Sequence, residues 1–136
     1  MNLLLDTHVV LWWGLNSRAL RTDARRAIES ADRVLVSAAS AWEVAIKIGL
    51  GRLRLKDSLS TLVKRSGFDE LAITFEHTER LVMLPTHHAD PYDRMLVVQA
   101  LVEGLTLVTH DRTLEPYSVP VIWSRRRASI ASRHFR

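Results

Sequence analysis

The sequence predicts an α/β fold in which a mostly parallel sheet of four to five strands is covered by helices on both faces. Short aliphatic strand segments alternate with helix-like segments along the whole chain, and these strand segments are apolar throughout. Strands buried on both faces have this composition, and parallel strands need helical connections. With 136 residues, 47% of them hydrophobic, the chain can form one domain with its own core.

The N-terminal half is predicted to contain two aliphatic strands and four helices. Asn16 and Ser17 end the first helix, Thr22 opens the second, and Gly49 stops the third. In chain order the elements are a strand over 2–5, helices over 7–15 and 22–31, a strand over 33–37, and helices over 39–48 and 59–66.

The C-terminal half is predicted to contain three strands and two helices. Pro85 ends the first of these helices, Pro91 begins the second, and Gly104 closes it. In chain order the elements are a strand over 70–74, helices over 76–83 and 91–103, and strands over 105–109 and 120–123.

The composition excludes several kinds of site. The chain has no cysteine, so thiol nucleophiles, redox CxxC pairs, zinc fingers and iron–sulfur clusters are excluded. The formal net charge is +4, but the segment 125–136 holds five arginines and no acidic residue, which leaves 1–124 with a net charge of −1. We therefore divide the chain into a domain over 1–124 and an Arg-rich C-terminal tail over 125–136. The tail is either a solvated end or an electrostatic arm for phosphate backbones.

The N-terminus is hydrophobic in the manner of a signal sequence but lacks its other features. No Lys or Arg precedes Arg18, and Asp6 interrupts the apolar run. The apolar stretches fall far short of the roughly 20 residues that span a bilayer. We expect a cytoplasmic protein without a membrane span.

Four acidic residues lie close to predicted core segments, where an unpaired carboxylate is costly to bury. Asp6 ends the first strand, Glu43 lies in an otherwise apolar helix, Asp93 begins an aliphatic helix, and Asp111 follows an aliphatic strand. The two that follow strands could instead cap the helix or turn beyond them.

The other two acidic residues also have purely structural interpretations. Asp90 before a proline is a good helix N-cap, and Asp93 would then be the acidic half of a capping box. Glu43 could pair with Lys47, four residues later on the same helix.

The predicted topology favours one shared site. The carboxyl ends of parallel strands open onto a single crevice, so Asp6 and Asp111 are expected at the same edge of the sheet. The first turn of a helix can bring Asp93 to that edge, and Glu43 projects from a helix that follows another strand. Carboxylates gathered in one cleft raise one another's pKa unless a cation neutralises them. Oxygen ligands without cysteine suit Mg²⁺ or Mn²⁺.

Four short motifs follow one another along the chain. They are Leu-Leu-Leu-Asp6-Thr7-His8, Ser40-Ala-Trp42-Glu43, Asp90-Pro-Tyr-Asp93-Arg94 and Thr109-His-Asp111. Their order and spacing, from residue 1 to about 123, resemble those of PIN-domain nucleases, particularly the VapC-type toxins of bacterial toxin–antitoxin systems. The resemblance implies a PIN-like three-layer α/β/α sandwich, metal-dependent cleavage of single-stranded RNA, a homodimer, and inhibition by a cognate antitoxin.

The resemblance also implies roles for the acidic residues. Asp6, Glu43, Asp93 and Asp111 form the catalytic cluster. Three of them, Asp6, Asp93 and Asp111, would hold one or two Mg²⁺ or Mn²⁺ ions while a water attacks phosphorus in line. Thr7 is similar to the hydroxyl residue that follows the family's first Asp. The Arg-rich tail lies outside the family pattern.

Three further polar residues have two interpretations each. Lys47 and Arg94 either contact the scissile or adjacent phosphates or balance the charge of the neighbouring acids. Asp90 is either a helix cap or a residue that supports the cluster from behind. The alternative function is a non-catalytic PIN-like module that binds RNA or a protein partner through the same crevice.

Aromatic and histidine residues give weaker signals. Trp12, Trp13 and Trp42 are predicted to belong to the core, with part of their surface left for an antitoxin or a second subunit. His87 and His88 faintly resemble the end of a binuclear zinc hydrolase motif, but the paired upstream histidines of such a site are absent.

Overall fold

The computed structural model describes residues 1–124, in which five parallel strands form one sheet in the order β3-β2-β1-β4-β5. In chain order the elements are β1 (Asn2–Leu5), α1 (Thr7–Gly14), α2 (Thr22–Ser30), β2 (Arg33–Ser37), α3 (Ala38–Gly49), α4 (Leu59–Arg65), β3 (Asp69–Leu71), α5 (Phe75–Val82), α6 (Pro91–Glu103), β4 (Thr106–Thr109), a 3₁₀ turn (Arg112–Leu114) and β5 (Val121–Trp123). The predicted α/β class with a parallel sheet is confirmed.

The sheet divides the core in two, because successive side chains of a strand point to opposite faces. Leu3 and Leu5 of β1 belong to an apolar cluster with residues of α1, α2 and α4, whereas Leu4 belongs to a second cluster with residues of α6. All three leucines are fully buried. This alternation produces the three layers, helix, sheet and helix, that the sequence analysis expected.

Strand β3 differs most from its predicted bounds, since it covers Asp69–Leu71 instead of 70–74. The reason lies in Thr74, whose hydroxyl accepts a hydrogen bond from the backbone N–H of His77 and so caps α5. The 3₁₀ turn after β4 confirms the interpretation of Asp111 as a cap of the turn that follows its strand. The N-cap of this turn is Asp111, whose carboxylate accepts from the backbone N–H of Thr113.

Two further expectations concern a membrane-spanning helix and the Arg-rich tail. Among residues 1–124, no helix combines the length and the apolar character needed to cross a membrane. The Arg-rich tail over 125–136, and with it the predicted boundary after residue 124, lies outside the described residues.

One edge of the sheet brings several chain segments together. Leu5 at the end of β1 pairs with Val108 of β4, and the backbone N–H of Asp6 donates to the Val108 carbonyl at 2.9 Å. Helix α1 begins at the residue after Asp6, and α3 begins directly after Ser37, the last residue of β2. The carboxyl ends of β1 and β2 therefore pass directly into helices, and side chains at these junctions and at the end of β4 share one edge.

Candidate functional site

Asp6 lies at the end of β1 and is only 3% exposed. Its Oδ1 accepts from the backbone N–H of Val9 at 2.8 Å, while its Oδ2 accepts from the Thr109 hydroxyl at 2.5 Å and from the backbone N–H of His110 at 3.3 Å. The Nδ1 of His110 lies 3.3 Å from the same Oδ2. These contacts fix the carboxylate and compensate for its burial. Asp6 is thus a helix cap, as one interpretation predicted, and a fixed carboxylate at the sheet edge.

Glu43 of α3 faces Thr7 of α1. The Thr7 hydroxyl donates to Oε1 of Glu43 at 2.7 Å and lies 3.0 Å from Oγ of Ser40. The Nζ of Lys47 lies 3.0 Å from Oε2 of Glu43, and the side chain of Glu43 is 12% exposed. The predicted pair of Glu43 and Lys47 is therefore confirmed. The same carboxylate also lies beside the residue that follows Asp6.

Asp93 lies in the first turn of α6, whose N-cap is Asp90. The Oδ1 of Asp90 accepts from the backbone N–H groups of Tyr92 and Asp93 at 2.8 and 3.1 Å. The Asp93 carboxylate contacts Nε2 of His88 at 2.9 Å. Burial is the main cause that raises the pKa of Asp93 to about 6; the Asp90 and Asp6 carboxylates add to the increase, and the His88 hydrogen bond opposes it. Because the charge of Asp6 contributes to the raised pKa of Asp93, the carboxylates of Asp6 and Asp93 are close enough to repel each other.

His88 connects Asp93 to Asp111. Its Nε2 lies 2.9 Å from Oδ2 of Asp93 and 3.6 Å from Oδ2 of Asp111, and its Nδ1 lies 3.1 Å from Oγ1 of Thr113. Because the Thr113 hydroxyl donates to Oδ1 of Asp111 at 2.6 Å, it accepts from Nδ1–H of His88. In this arrangement Nε2 of His88 is left to form its hydrogen bond with the Asp93 carboxylate.

The negative charge of Asp111 is stabilised by more hydrogen bonds and positive charges than that of Asp93. Burial tends to raise the pKa of Asp111, but hydrogen bonds from the hydroxyl and backbone N–H of Thr113 outweigh it, together with the charges of His88 and His110. The net effect is a lowered pKa, so Asp111 is ionised at neutral pH. Asp93 is the carboxylate of this pair whose charge the protein compensates less.

The structure brings all four predicted acidic residues to the same edge of the sheet. Glu43 reaches the end of β1 through Thr7, the charge of Asp6 acts on Asp93, and His88 links Asp93 to Asp111. Three of these acids fall into two groups of possible metal ligands, Asp6 with His8 and His110, and Asp93 and Asp111 with His88, while Lys47 is paired with Glu43. This donor set, with uncompensated negative charge at Asp93, suits a divalent cation.

Two predicted positively charged residues have well-defined contacts. Lys47 pairs with Glu43, and Nη2 of Arg94 donates to the backbone carbonyl of Leu84 at 3.1 Å. The second contact ties the first turn of α6 to the loop after α5. It gives Arg94 a structural role, and a phosphate contact by either side chain stays a prediction.

The tryptophans differ from one another in burial. Trp12 and Trp13 are partly buried against the core, and Nε1 of Trp13 donates to Oγ of Ser66 at 3.0 Å. Trp42, however, is 59% exposed, and its ring packs edge-on against Tyr92 with 5.3 Å between ring centroids. The prediction of a core position is wrong for Trp42, because that face of α3 looks outward.

Several residues at the site were not predicted from the sequence. His88 and Thr113 connect two of the acids, and His8 and His110 lie beside Asp6. Burial is the largest cause that lowers the pKa of His8, and the charges of His110 and Lys47 also lower it, against the opposing effect of the nearby acids. The sequence feature that could have indicated His8 and His110 is their position within the motifs that contain Asp6 and Asp111.

Comparisons with known proteins agree with this geometry. The sequence profile of the PIN domain family matches residues 3–118. The chain is 34% identical over 125 residues to Ribonuclease VapC22 from Mycobacterium tuberculosis, and the match covers 86% of this chain and 92% of that protein.

Solved structures share the fold at low sequence identity. VapBC2 from Rickettsia felis bound to a DNA fragment from their promoter has a TM-score of 0.69 and 13% identity, covering 92% of this chain and 100% of that chain. DNA-bound VapBC from Salmonella typhimurium has a TM-score of 0.69 and 17% identity, covering 92% and 99%. Since the profile match covers most of the chain and agrees with both the relative and the fold, this protein belongs to the PIN domain family.

Proposed function

We propose that this protein is a metal-dependent endoribonuclease that hydrolyses phosphodiester bonds of single-stranded RNA. The observation that carries the proposal is the gathering of Asp6, Glu43, Asp93 and Asp111 at one sheet edge of a PIN-domain chain. The substrate class is supported by the 34% identical relative, which is named a ribonuclease.

Asp6, Asp93 and Asp111 are the residues that would hold the cation, and Glu43 completes the site. Their oxygen atoms, in a chain without cysteine, suit Mg²⁺ or Mn²⁺ better than thiophilic ions. When bound, such a cation lowers the pKa of the attacking water and neutralises charge on the phosphoryl oxygens. A nearby positive charge also favours the ionised form of Asp93, whose pKa is otherwise raised.

The residues around these carboxylates restrict their motion. Val9, Thr109 and His110 hold both oxygens of Asp6, and Thr7 and Lys47 each hold one oxygen of Glu43. Carboxylates fixed before the ligand arrives need no reorganisation when it binds. Lys47 also supplies positive charge beside the cluster, where it can attract the RNA backbone.

Cleavage assays test this function directly. Purified protein is incubated with single-stranded RNA in Mg²⁺, in Mn²⁺ and in EDTA, with Asp93→Asn as the inactive control. We expect cleavage with either ion and none in EDTA. Equal cleavage in EDTA would contradict the proposal, and RNA binding without cleavage under all three conditions would favour the non-catalytic module instead.

We further propose that the protein is the toxin of a toxin–antitoxin pair and acts as a homodimer in the cytoplasm. The solved structures that share its fold include VapBC complexes. An exposed apolar stripe along α3 and its C-cap, formed by Trp42, Ile46 and Leu50, begins next to Glu43 and offers a surface for the antitoxin. A basic side chain of that partner could then enter the acidic cleft in place of the cation.

A pull-down tests the antitoxin surface, using the small protein encoded by the neighbouring reading frame as bait. Trp42→Ala is expected to weaken capture, because an exposed tryptophan beside the site is a typical interface anchor. Phe75→Ala is the matched control, since Phe75 is 86% exposed on a different helix, α5. Equal capture of both variants and of the wild type would exclude this surface.

The Arg-rich tail over 125–136 is proposed as an arm for the RNA backbone. Its five arginines would release counterions on binding and so steepen the salt dependence of affinity. Deleting the tail should flatten that dependence and leave the metal requirement unchanged. An unchanged salt slope would identify the tail as a solvated end.

A further inference from the structure

Two histidines and one carboxylate lie together at the junction of β1 and β4. Asp6 caps α1, His8 lies in the first turn of α1, and His110 directly follows β4. The parallel register that pairs Leu5 with Val108 places the residues after each strand side by side. As a result, one ligand atom from each of Asp6, His8 and His110 lies within 4.8 Å of the others.

This donor set differs in kind from the carboxylates that would hold Mg²⁺. Mg²⁺ takes oxygen ligands, whereas imidazole nitrogen suits Zn²⁺ and the neighbouring first-row transition metals. Two histidines with one carboxylate is a ligand set found in zinc proteins. Asp6 therefore contributes to this mixed nitrogen and oxygen group, whereas His88, Asp93 and Asp111 form a second group of possible ligands in the described chain.

One distance within this group already matches what a bound ion needs. Ligand atoms about 2.0–2.2 Å from a tetrahedral zinc ion are separated by roughly 3.3 Å. Nδ1 of His110 already lies 3.3 Å from Oδ2 of Asp6. The rings of His8 and His110 are 4.6 Å apart between centroids, and Trp12 packs against both, at 5.9 and 5.2 Å. The two imidazole rings and the Asp6 carboxylate therefore lie close enough together to serve one ion.

We propose that Asp6, His8 and His110 form a binding site for a first-row transition-metal ion, with Zn²⁺ as the best fit. An ion bound there occupies Asp6 and so competes with the Mg²⁺ of the nuclease cleft. This second consequence rests on the proposed function, whereas zinc binding itself does not.

Zinc binding is measured on the full chain, without added Mg²⁺, by competition with a chromogenic zinc chelator. His8→Gln and His110→Gln are each expected to weaken zinc binding about tenfold or more. His87→Gln is the matched control, because His87 is an exposed histidine that contacts Tyr117 and lies outside the group. It should bind zinc as the wild type does. Thermal unfolding of each variant without metal verifies that it is folded.

A second readout uses Trp12, whose ring contacts both histidines. Co²⁺ binding at the site should quench tryptophan fluorescence in the wild type and in His87→Gln, and much less in His8→Gln. Equal zinc binding by the wild type and both site variants would overturn the inference. A loss of zinc binding confined to His88→Gln would also overturn it, because it would assign the ion to the other histidine-containing group.

RNA cleavage separates this inference from the proposed function. The cleavage rate of each protein in Mg²⁺ is divided by its own rate with added Zn²⁺, and this ratio should be larger for the wild type than for His8→Gln. Equal ratios would show that zinc does not compete through this site. If the protein cleaves no RNA in Mg²⁺, the proposed function fails, while the zinc titration still decides whether the site exists.

Discussion

The two sides of the acidic cleft carry the same residue type but stabilise its charge differently. Asp6 is almost fully buried and accepts hydrogen bonds from a hydroxyl and two backbone N–H groups. Asp93, on the facing helix α6, has His88 as its direct contact, and burial raises its pKa to about 6. One carboxylate is thus held by fixed donors, whereas the other carries a charge that its surroundings compensate poorly.

The difference indicates how an acidic site can be stable without its cation and still bind one. Fixed donors at Asp6 allow a carboxylate to be buried at a strand end, where it also caps α1. The uncompensated charge at Asp93 is the part of the cleft that gains most from a cation. We therefore expect Asp6 to be important for folding and binding alike, and Asp93 for binding alone.

The largest expected effect is a loss of RNA cleavage, and it should be equally large for variants of Asp6 and of Asp93. Asp6→Asn and Asp93→Asn each remove a ligand of the cation, so RNA cleavage in Mg²⁺ should fall by about 100-fold or more. The measurement is an initial rate for each variant against the wild type. Near-normal cleavage by either variant would remove that residue from the metal site.

The free energy of unfolding should differ between Asp6→Asn and Asp93→Asn. Asp6→Asn leaves buried donors imperfectly paired and should lower the free energy of unfolding by about 1–3 kcal/mol. Asp93→Asn removes a charge that burial disfavours, so metal-free stability at neutral pH should be unchanged or higher. Chemical denaturation in EDTA measures both values. A loss of several kcal/mol in Asp93→Asn would show that the Asp93 carboxylate is chiefly structural.

The pH dependence of metal-free stability sharpens the contrast. The pKa of Asp93 is about 6 in the folded chain and 3.8 in its ordinary state, so the native state binds more protons between these values. Its contribution should therefore lower stability as pH rises from about 4 to 6, by at most about 3 kcal/mol. Subtracting the curve of Asp93→Asn from that of the wild type isolates this contribution. A flat difference would mean that Asp93 titrates normally.

A smaller effect is expected at the contact that joins Asp93 to Asp111. Thr113→Val removes the hydroxyl that donates to Asp111 and accepts from His88, which should raise the pKa of Asp111 and cost about 1 kcal/mol of stability. Thr78→Val is the control, because Thr78 loses a hydroxyl contact on exposed α5. Mg²⁺ affinity should fall in Thr113→Val and not in Thr78→Val. Equal affinities would show that Thr113 does not position the site.

The smallest effect is expected at Lys47, which pairs with Glu43 and is itself 37% exposed. Lys47→Gln should change the free energy of unfolding by less than about 1 kcal/mol, because partly exposed ion pairs contribute little. RNA binding should weaken more than stability. A large loss of stability would make this pair a structural element of the Glu43 side.

Much of the fold follows from local sequence patterns. Strands β1 and β2 have the predicted bounds because each is a short aliphatic run bordered by polar residues. The meeting of Asp6 and Asp111 at one edge follows from the parallel topology, which aliphatic strands between helices already indicate. Both inferences use information within or next to a single element.

The remaining features depend on contacts between distant segments. His88 lies in the loop before α6, where no periodic pattern shows that it will join Asp93 to Asp111. Trp42 stands in an apolar stretch of α3 that resembles a core sequence, yet its side chain is 59% exposed despite its contact with Tyr92 of α6. Such features are decided by how helices pack on the sheet, which one sequence does not specify.

The most direct test of the shared metal site is anomalous diffraction from crystals of the protein grown or soaked with Mn²⁺. The account predicts an anomalous peak in the cleft within coordination distance of Asp6 and at least one of Asp93 and Asp111, and its absence in crystals of Asp93→Asn. A strong peak elsewhere, with no ion between the two sides of the cleft, would contradict it.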